Sequence, residues 1–176
     1  MEIDRLVAAE AGWPKTKYAQ LERERRWLCQ HLPHDRVSRS SAISDLYLSN
    51  TQLRLREVRD LMTGTIQLKL GRKADISPST RMITTIYLTQ SEFSLLATLP
   101  GSRIEKTHHS IVSDDGVIIL FDEFDGSLAG LIIAEVEFGC DADMNNYKPP
   151  EYFGREVTDD RRYSGGELAT VGLPLA

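Results

Sequence analysis

Apolar and polar residues alternate with a period of two along most of this chain, and that alternation predicts strands. The candidate strands are residues 18–28, 43–48, 51–59, 64–70, 81–87, 103–112, 117–124 and 130–138. They are short and mostly joined by short turns, which predicts an antiparallel sheet or a closed barrel. One helix stands among them. Thr89-Gln-Ser-Glu92 is a capping box, Phe93, Leu96, Ala97 and Leu99 follow on one side, and Pro100-Gly101 stops the pattern. Because helices do not alternate regularly with the strands, a parallel βαβ fold is not expected. Ser113-Asp114-Asp115-Gly116 reads as a hairpin turn. Ahead of the strands, Leu6, Val7, Ala8, Ala9 and Ala11 predict a short helix in an extension over residues 1–17, ended by Gly12 and Pro14. At the other end, 148–154 reads as a loop, and 158–169 as a capped turn or short helix docked over the sheet.

The same alternation sorts the charges onto faces. In Leu21-Glu-Arg-Glu-Arg-Arg-Trp27-Leu28, one face carries Glu22, Glu24 and Arg26 and no apolar residue. Arg54 and Arg56 share a face opposite Leu53 and Leu55, and Lys69 and Gln67 oppose Ile66, Leu68 and Leu70. Lys106 and His108 share a face, as do Glu135 and Glu137, while Asp122 lies with Leu120 and Phe124. Amphipathic strands with solvated faces are common. Here the charges recur as same-face pairs, and their sign is grouped by strand. A sheet closed on itself accounts for this. Its outer surface buries apolar residues under helices or loops, and its inside is a wet, charged bore. Grouped carboxylates are matched by a divalent metal and grouped Arg and Lys by a polyanion, so a short polyphosphate carrying Mg²⁺ or Mn²⁺ satisfies both.

The 176 residues fit one compact domain, 41% of them apolar. A net charge of −5 gives no general attraction to nucleic acid or anionic membrane. With no long apolar run and no signal-peptide pattern, a cytoplasmic protein is expected. Cys29 and Cys140 fit no metal spacing and read as reduced thiols.

In order along the chain, these residues resemble the CYTH superfamily, the triphosphate tunnel metalloenzymes. The opening Glu-x-Glu-x-Lys motif reads Glu22-Arg-Glu24-Arg-Arg26, the arginine pair is Arg54 and Arg56, and the strand lysine is Lys69. Residues 87–107 resemble the family's helix and following strand, with Lys106 in the KTR-like position. Residues 121–138, with Asp122, Glu135 and Glu137, resemble its metal-binding closing strands, and 149–169 its C-terminal segment. The resemblance implies an α+β fold: a closed eight-stranded antiparallel tunnel barrel with a few flanking helices, spanning residues 18–170 and leaving 171–176 as a tail. It implies metal-dependent hydrolysis of inorganic triphosphate or of a triphosphate-bearing organic substrate. Arg26, Arg54, Arg56, Lys69, Arg81, Lys106, His108 and Arg162 would bind substrate. Glu22, Glu24, Asp122, Glu135 and Glu137 would hold Mg²⁺ or Mn²⁺, with Glu22 and Glu24 as catalytic carboxylates. Members are often dimers, so the resemblance allows a homodimer. The expected partner is a small-molecule triphosphate, with neither nucleic acid nor membrane.

Several positions depart from the family pattern. Arg26 replaces the motif's lysine; it binds phosphate but stays protonated and so cannot act as a base. His108 stands where many members have arginine. After Arg81, Ile83 and Thr85 occupy positions where many members carry glutamate, which thins the acidic complement. A binding module with little turnover is the competing reading, and an adenylyl cyclase a more distant one. Tyr163 reads as packing, and His31, His34 and His109 read as surface residues.

Overall fold

The structure, a computed structural model, describes residues 4–174. Eight antiparallel strands close on themselves: β1 (Gln20–Cys29), β2 (Val37–Leu48), β3 (Leu53–Asp60), β4 (Ile66–Ser77), β5 (Thr80–Tyr87), β6 (Gly101–Val112), β7 (Ile118–Phe124) and β8 (Ile132–Glu137). Around the barrel the order is β1-β5-β4-β3-β2-β6-β7-β8, with β8 pairing back to β1. All eight predicted strands are present. Two of them, β2 and β4, are much longer than the alternation suggested. β2 begins at Val37 rather than 43, because the polar run Ser38–Ser41 pairs with β6 at a bulged register. β4 runs on through Ser77 rather than stopping at 70 and so carries Lys73 and Asp75.

Among the described residues four α-helices flank the barrel: α1 (Arg5–Glu10), α2 (Gln90–Leu96), α3 (Asp141–Asn146) and α4 (Gly165–Val171). The Thr89–Glu92 capping box forms as expected. Gly116, at φ +83°, supplies the left-handed turn between β6 and β7. Sequence patterning gave no sign of α3, a six-residue helix rich in Asp and Asn.

The apolar core lies outside the barrel wall. The outward residues of β1, β7 and β8, including Trp27, Phe121, Ala134 and Val136, are buried under Tyr147, Tyr152 and Phe153 of the loop after α3. Trp27 is 1% exposed and lies 5.1 Å from the Phe153 ring. On the same outer face, Arg23 pairs with Asp141 at 2.6 Å and Arg25 with Glu156 at 2.7 Å. The far wall buries Leu46, Leu48 and Leu55 against Phe93 and Leu96 of α2. With its apolar surface satisfied outside, the barrel's inner face is free to be polar.

Candidate active site in the bore

Period two turns Glu22, Glu24 and Arg26 inward on β1 and Glu135 and Glu137 inward on β8. The register brings these strands together, pairing Glu24 with Glu137 and Arg26 with Glu135. Across the barrel, Asp45 and Tyr47 of β2 pair with Arg56 and Arg54 of β3, and Arg56 pairs with Lys69 of β4. Lys106 and His108 of β6 face in beside Asp122 of β7. Inside is a cavity of about 390 Å³ lined by Glu22, Glu24, Arg26, Arg54, Arg56, Arg81, Lys106, His108, Asp122, Glu135 and Glu137. A second cavity of about 470 Å³ opens outward; it shares Glu22, Arg54, Arg56 and Lys73 with the first and adds Lys69, Ile83, Thr85 and Tyr87. Twelve of the thirteen predicted site residues therefore meet in one continuous bore.

Arg162 does not. Its side chain is 60% exposed, grips Asp160 at 2.8 Å, and lines neither cavity. The C-terminal segment instead contributes Tyr163, Ser164, Gly165 and Gly166, which close one end of the bore. Their approach is close: a Cβ at Gly165 would strike the Tyr47 hydroxyl. Tyr163 packs with α4 as expected, and its carbonyl also accepts a hydrogen bond from Arg26 Nη1 at 2.9 Å. Arg26, only 4% exposed, is thus partly committed to holding this segment.

His109 is a second correction. It is buried, with Nδ1 2.8 Å from Ser40 Oγ, because β6 turns it onto the covered outer face. His31 and His34 are exposed, as expected. Cys29 and Cys140 are both free thiols.

The cationic wall is organised by Asp45, which sequence reasoning missed. Asp45 is 1% exposed and accepts two hydrogen bonds from Arg56, each 2.6 Å, with Arg54 Nε at 3.6 Å. Burial pushes its carboxyl up, but the two arginines outweigh that and hold it below the ordinary range. Asp122 is engaged in the same way. One oxygen pairs with Lys106 and the other lies 2.7 Å from His108 Nδ1. Burial opposes its ionisation, yet Lys106 and His108 win and its pKa falls. Asp122 thus sits with the cations rather than with the glutamates in this structure. Burial, followed by the Arg56 and Arg54 charges, lowers the pKa of Lys69.

The acidic wall is under strain of the opposite kind. Burial, and then the neighbouring Glu135 carboxylate, pushes Glu24 up to about 7 even though it pairs with Arg81. Glu137 is raised by burial and then by Glu22 and Glu135; its residue is exposed at the strand end, so the crowding by like charges is the cause that persists there. Glu22 is the exception. Burial raises it, but Lys73, donating to it at 2.6 Å, brings it below the ordinary value. Glu135 and Glu137 join no ion pair among the described residues. This donor set fits a hard divalent cation, which takes carboxylate oxygens and relieves their repulsion. Among the described residues no three of these groups yet converge tightly enough to cage one, because Lys73, Arg81 and Lys106 hold Glu22, Glu24 and Asp122.

Fold and site together define a tunnel barrel whose bore sets a carboxylate wall against a guanidinium and ammonium wall. No family model matches the chain. A curated inorganic triphosphatase of Nitrosomonas europaea is 42% identical over 84 residues, which is 48% of this chain and 55% of that protein. The matched stretch thus spans about half of that relative's length. A solved structure of an inorganic triphosphatase superposes with a TM-score of 0.59 at 30% identity, covering 84% of this chain and 93% of the other. A Pyrococcus horikoshii protein shares the fold, with a TM-score of 0.53 at 23% identity over 70% of this chain and 82% of its own. The chain belongs to the CYTH superfamily of triphosphate tunnel proteins. No helix among the described residues is long and apolar enough to cross a membrane.

Proposed function

We propose that this chain hydrolyses inorganic triphosphate within the bore, with a divalent cation, Mg²⁺ or Mn²⁺, as cofactor. The observation that carries this reading is the opposition of two charged walls across one cavity. Arg54, Arg56 and Lys106 face Glu22, Glu24 and Glu135 there. A polyanion alone would satisfy one wall and leave the other repelling itself; a metal-laden phosphate chain satisfies both. The similarity to inorganic triphosphatases supports the same substrate.

In this reading Arg54 and Arg56 bind phosphate oxygens through paired N–H groups, and Lys69 and Lys106 act as point charges. Arg54 Nε is buried and lacks a hydrogen-bond partner among the described residues, so it has a donor to offer. Arg81, paired with Glu24 and with Asp75 at 3.0 Å, joins the two walls. Glu22, Glu24, Glu135 and Glu137 would hold the cation. Held there, it would supply positive charge against the charge that develops on the leaving phosphate. Glu22 and Glu24 are the carboxylates available to orient a water for in-line attack on a terminal phosphorus and to take its proton. Asp122 keeps Lys106 and His108 aimed into the bore.

The test is release of orthophosphate from triphosphate, measured with Mg²⁺, with Mn²⁺ and with EDTA. Release that needs a divalent cation supports the proposal. Calorimetric binding of triphosphate with no release would make the chain a binding module instead.

A further inference from the structure

Lys73 lies in the bore, and the proposed function leaves it without a role. It reaches the bore because β4 runs on through Ser77, and it stands opposite Ile83 of β5. Glu22, Arg54, Arg56 and Lys73 line both cavities, so together they form the neck where the two spaces meet.

Three carboxylates of the bore are held by side-chain cations, and those cations are not held alike. Arg81 spans Glu24 and Asp75, with Glu22 at 3.9 Å. Lys106 pairs with Asp122, which His108 also grips. Lys73 has a single ion pair among the described residues, to Glu22 at 2.6 Å. Its side chain is 33% exposed, against 13% for Arg81 and 12% for Lys106. Ile83, its neighbour across the ladder, offers no second carboxylate. Glu22 is half-buried on β1, where its strand pairs it with Arg81. The pair is therefore lopsided. The carboxylate is fixed in the wall, while the ammonium rides a flexible four-carbon stem beside open space. A doubly charged hard cation competes well for such a carboxylate against one partly solvated ammonium. Once released, that ammonium is at the neck beside Arg54 and Arg56, where a phosphate chain would lie.

We propose that Lys73 is an exchangeable counter-ion, which gives up Glu22 to the divalent cation and takes phosphate oxygens instead. Lys73 thereby couples the two ligands, because each draws apart the Lys73–Glu22 pair that opposes the other. This rests on the reading of the bore as a metal-dependent triphosphate site. Two titrations of the full chain test it. Mn²⁺ is added to phosphate-free protein and the free ion is read by electron paramagnetic resonance; triphosphate is added to protein in EDTA and read by calorimetry. Lys73→Met frees Glu22 but removes the ammonium. It should bind Mn²⁺ about fivefold more tightly and triphosphate about fivefold more weakly, the scale of one partly exposed charge contact. Lys73→Arg restores a cation and should bring both affinities back toward wild type. Lys17→Met removes the same charge from the wall of the outer cavity and should leave both within about twofold. Mn²⁺ affinity that is unmoved or weaker in Lys73→Met overturns the proposal, as does unmoved triphosphate affinity. So do equal shifts in Lys17→Met, or a Lys73→Arg variant that behaves like Lys73→Met. Phosphate release by the wild type is followed separately. Its absence with the opposed shifts intact would sink the hydrolysis reading and leave the role of Lys73 standing.

Discussion

Replacing Glu24 by Gln should make the metal-free protein more stable and the enzyme inactive. In the folded chain burial and Glu135 raise this carboxyl from its ordinary value of 4.5 to about 7, a net effect that already includes the pull of Arg81. A group whose folded pKa is raised contributes stability that is fully present below the unfolded value and is lost as pH rises through the folded one. For Glu24 the window is therefore from 4.5 up to about 7. Above it, ionised Glu24 costs the fold on the order of 3 kcal/mol, from about 1.4 kcal/mol per pKa unit. Glutamine keeps the shape without the charge and should recover much of that cost. At roughly 2–4 °C per kcal/mol for a chain of this size, Tm at pH 8 should rise by several degrees. Near pH 4, where wild-type Glu24 is already neutral, the two proteins should melt together. Thermal melts in EDTA across pH 4–8 supply the comparison. A lower Tm for Glu24→Gln at pH 8 would refute the reasoning, because Glu24 would then be a net stabilising partner of Arg81 rather than a carboxylate held at a cost to the fold. Phosphate release by the variant should fall by about 10²-fold or more if Glu24 serves the reaction.

Arg56→Gln leaves buried Asp45 with only the longer Arg54 contact, so urea unfolding should show a loss of about 3 kcal/mol, and an unchanged midpoint would contradict the buried pairing. Asp45 and Asp122 titrate below their ordinary values, so the stability they contribute is present above pH 3.8 and is lost as pH falls through the lower folded values. Tm should therefore drop steeply below pH 4, and Asp122→Asn should start lower at pH 6 but drop less on acidification; a parallel drop would show that Asp122 is not a source of the acid lability. Arg162→Gln should leave phosphate release unchanged and stability within about 0.5 kcal/mol, since its ion pair is on the surface. Lost activity in that variant would return Arg162 to the site.

Much of this architecture was legible because a barrel obeys period two on every strand. Glu22, Glu24, Arg54, Arg56, Glu135 and Glu137 each share a face with a charged neighbour two residues away, and the closed sheet turns all those faces inward. Lys73 and Asp75 lie beyond the predicted strand 64–70, whereas β4 continues through Gly71, which pairs with both Arg54 and Thr85 in mid-strand. Asp45 was missed as one acid among apolar residues, although Ile43, Asp45 and Tyr47 alternate against Ser44, Leu46 and Leu48. That alternation was the available signal for a carboxylate facing the arginine pair. Arg162 shows the limit of carrying a charge forward from a loop. No periodicity fixes its direction, and Asp160 two residues away captures it. The position of the core was also not written in any single strand, because which face is oily depends on what covers it. Trp27 is buried only because the loop bearing Tyr147 and Phe153 returns over β1.

The central claim is that a phosphate chain lies between the two walls. The most direct measurement is a crystal structure of the protein grown with Mg²⁺ and a non-hydrolysable imido analogue of triphosphate. The account predicts phosphate density inside the barrel, touching Arg54 and Arg56 on one side, with the cation against Glu22, Glu24 and Glu135 on the other. An analogue bound only to the outer surface, or a bore without phosphate at saturating analogue, would contradict it.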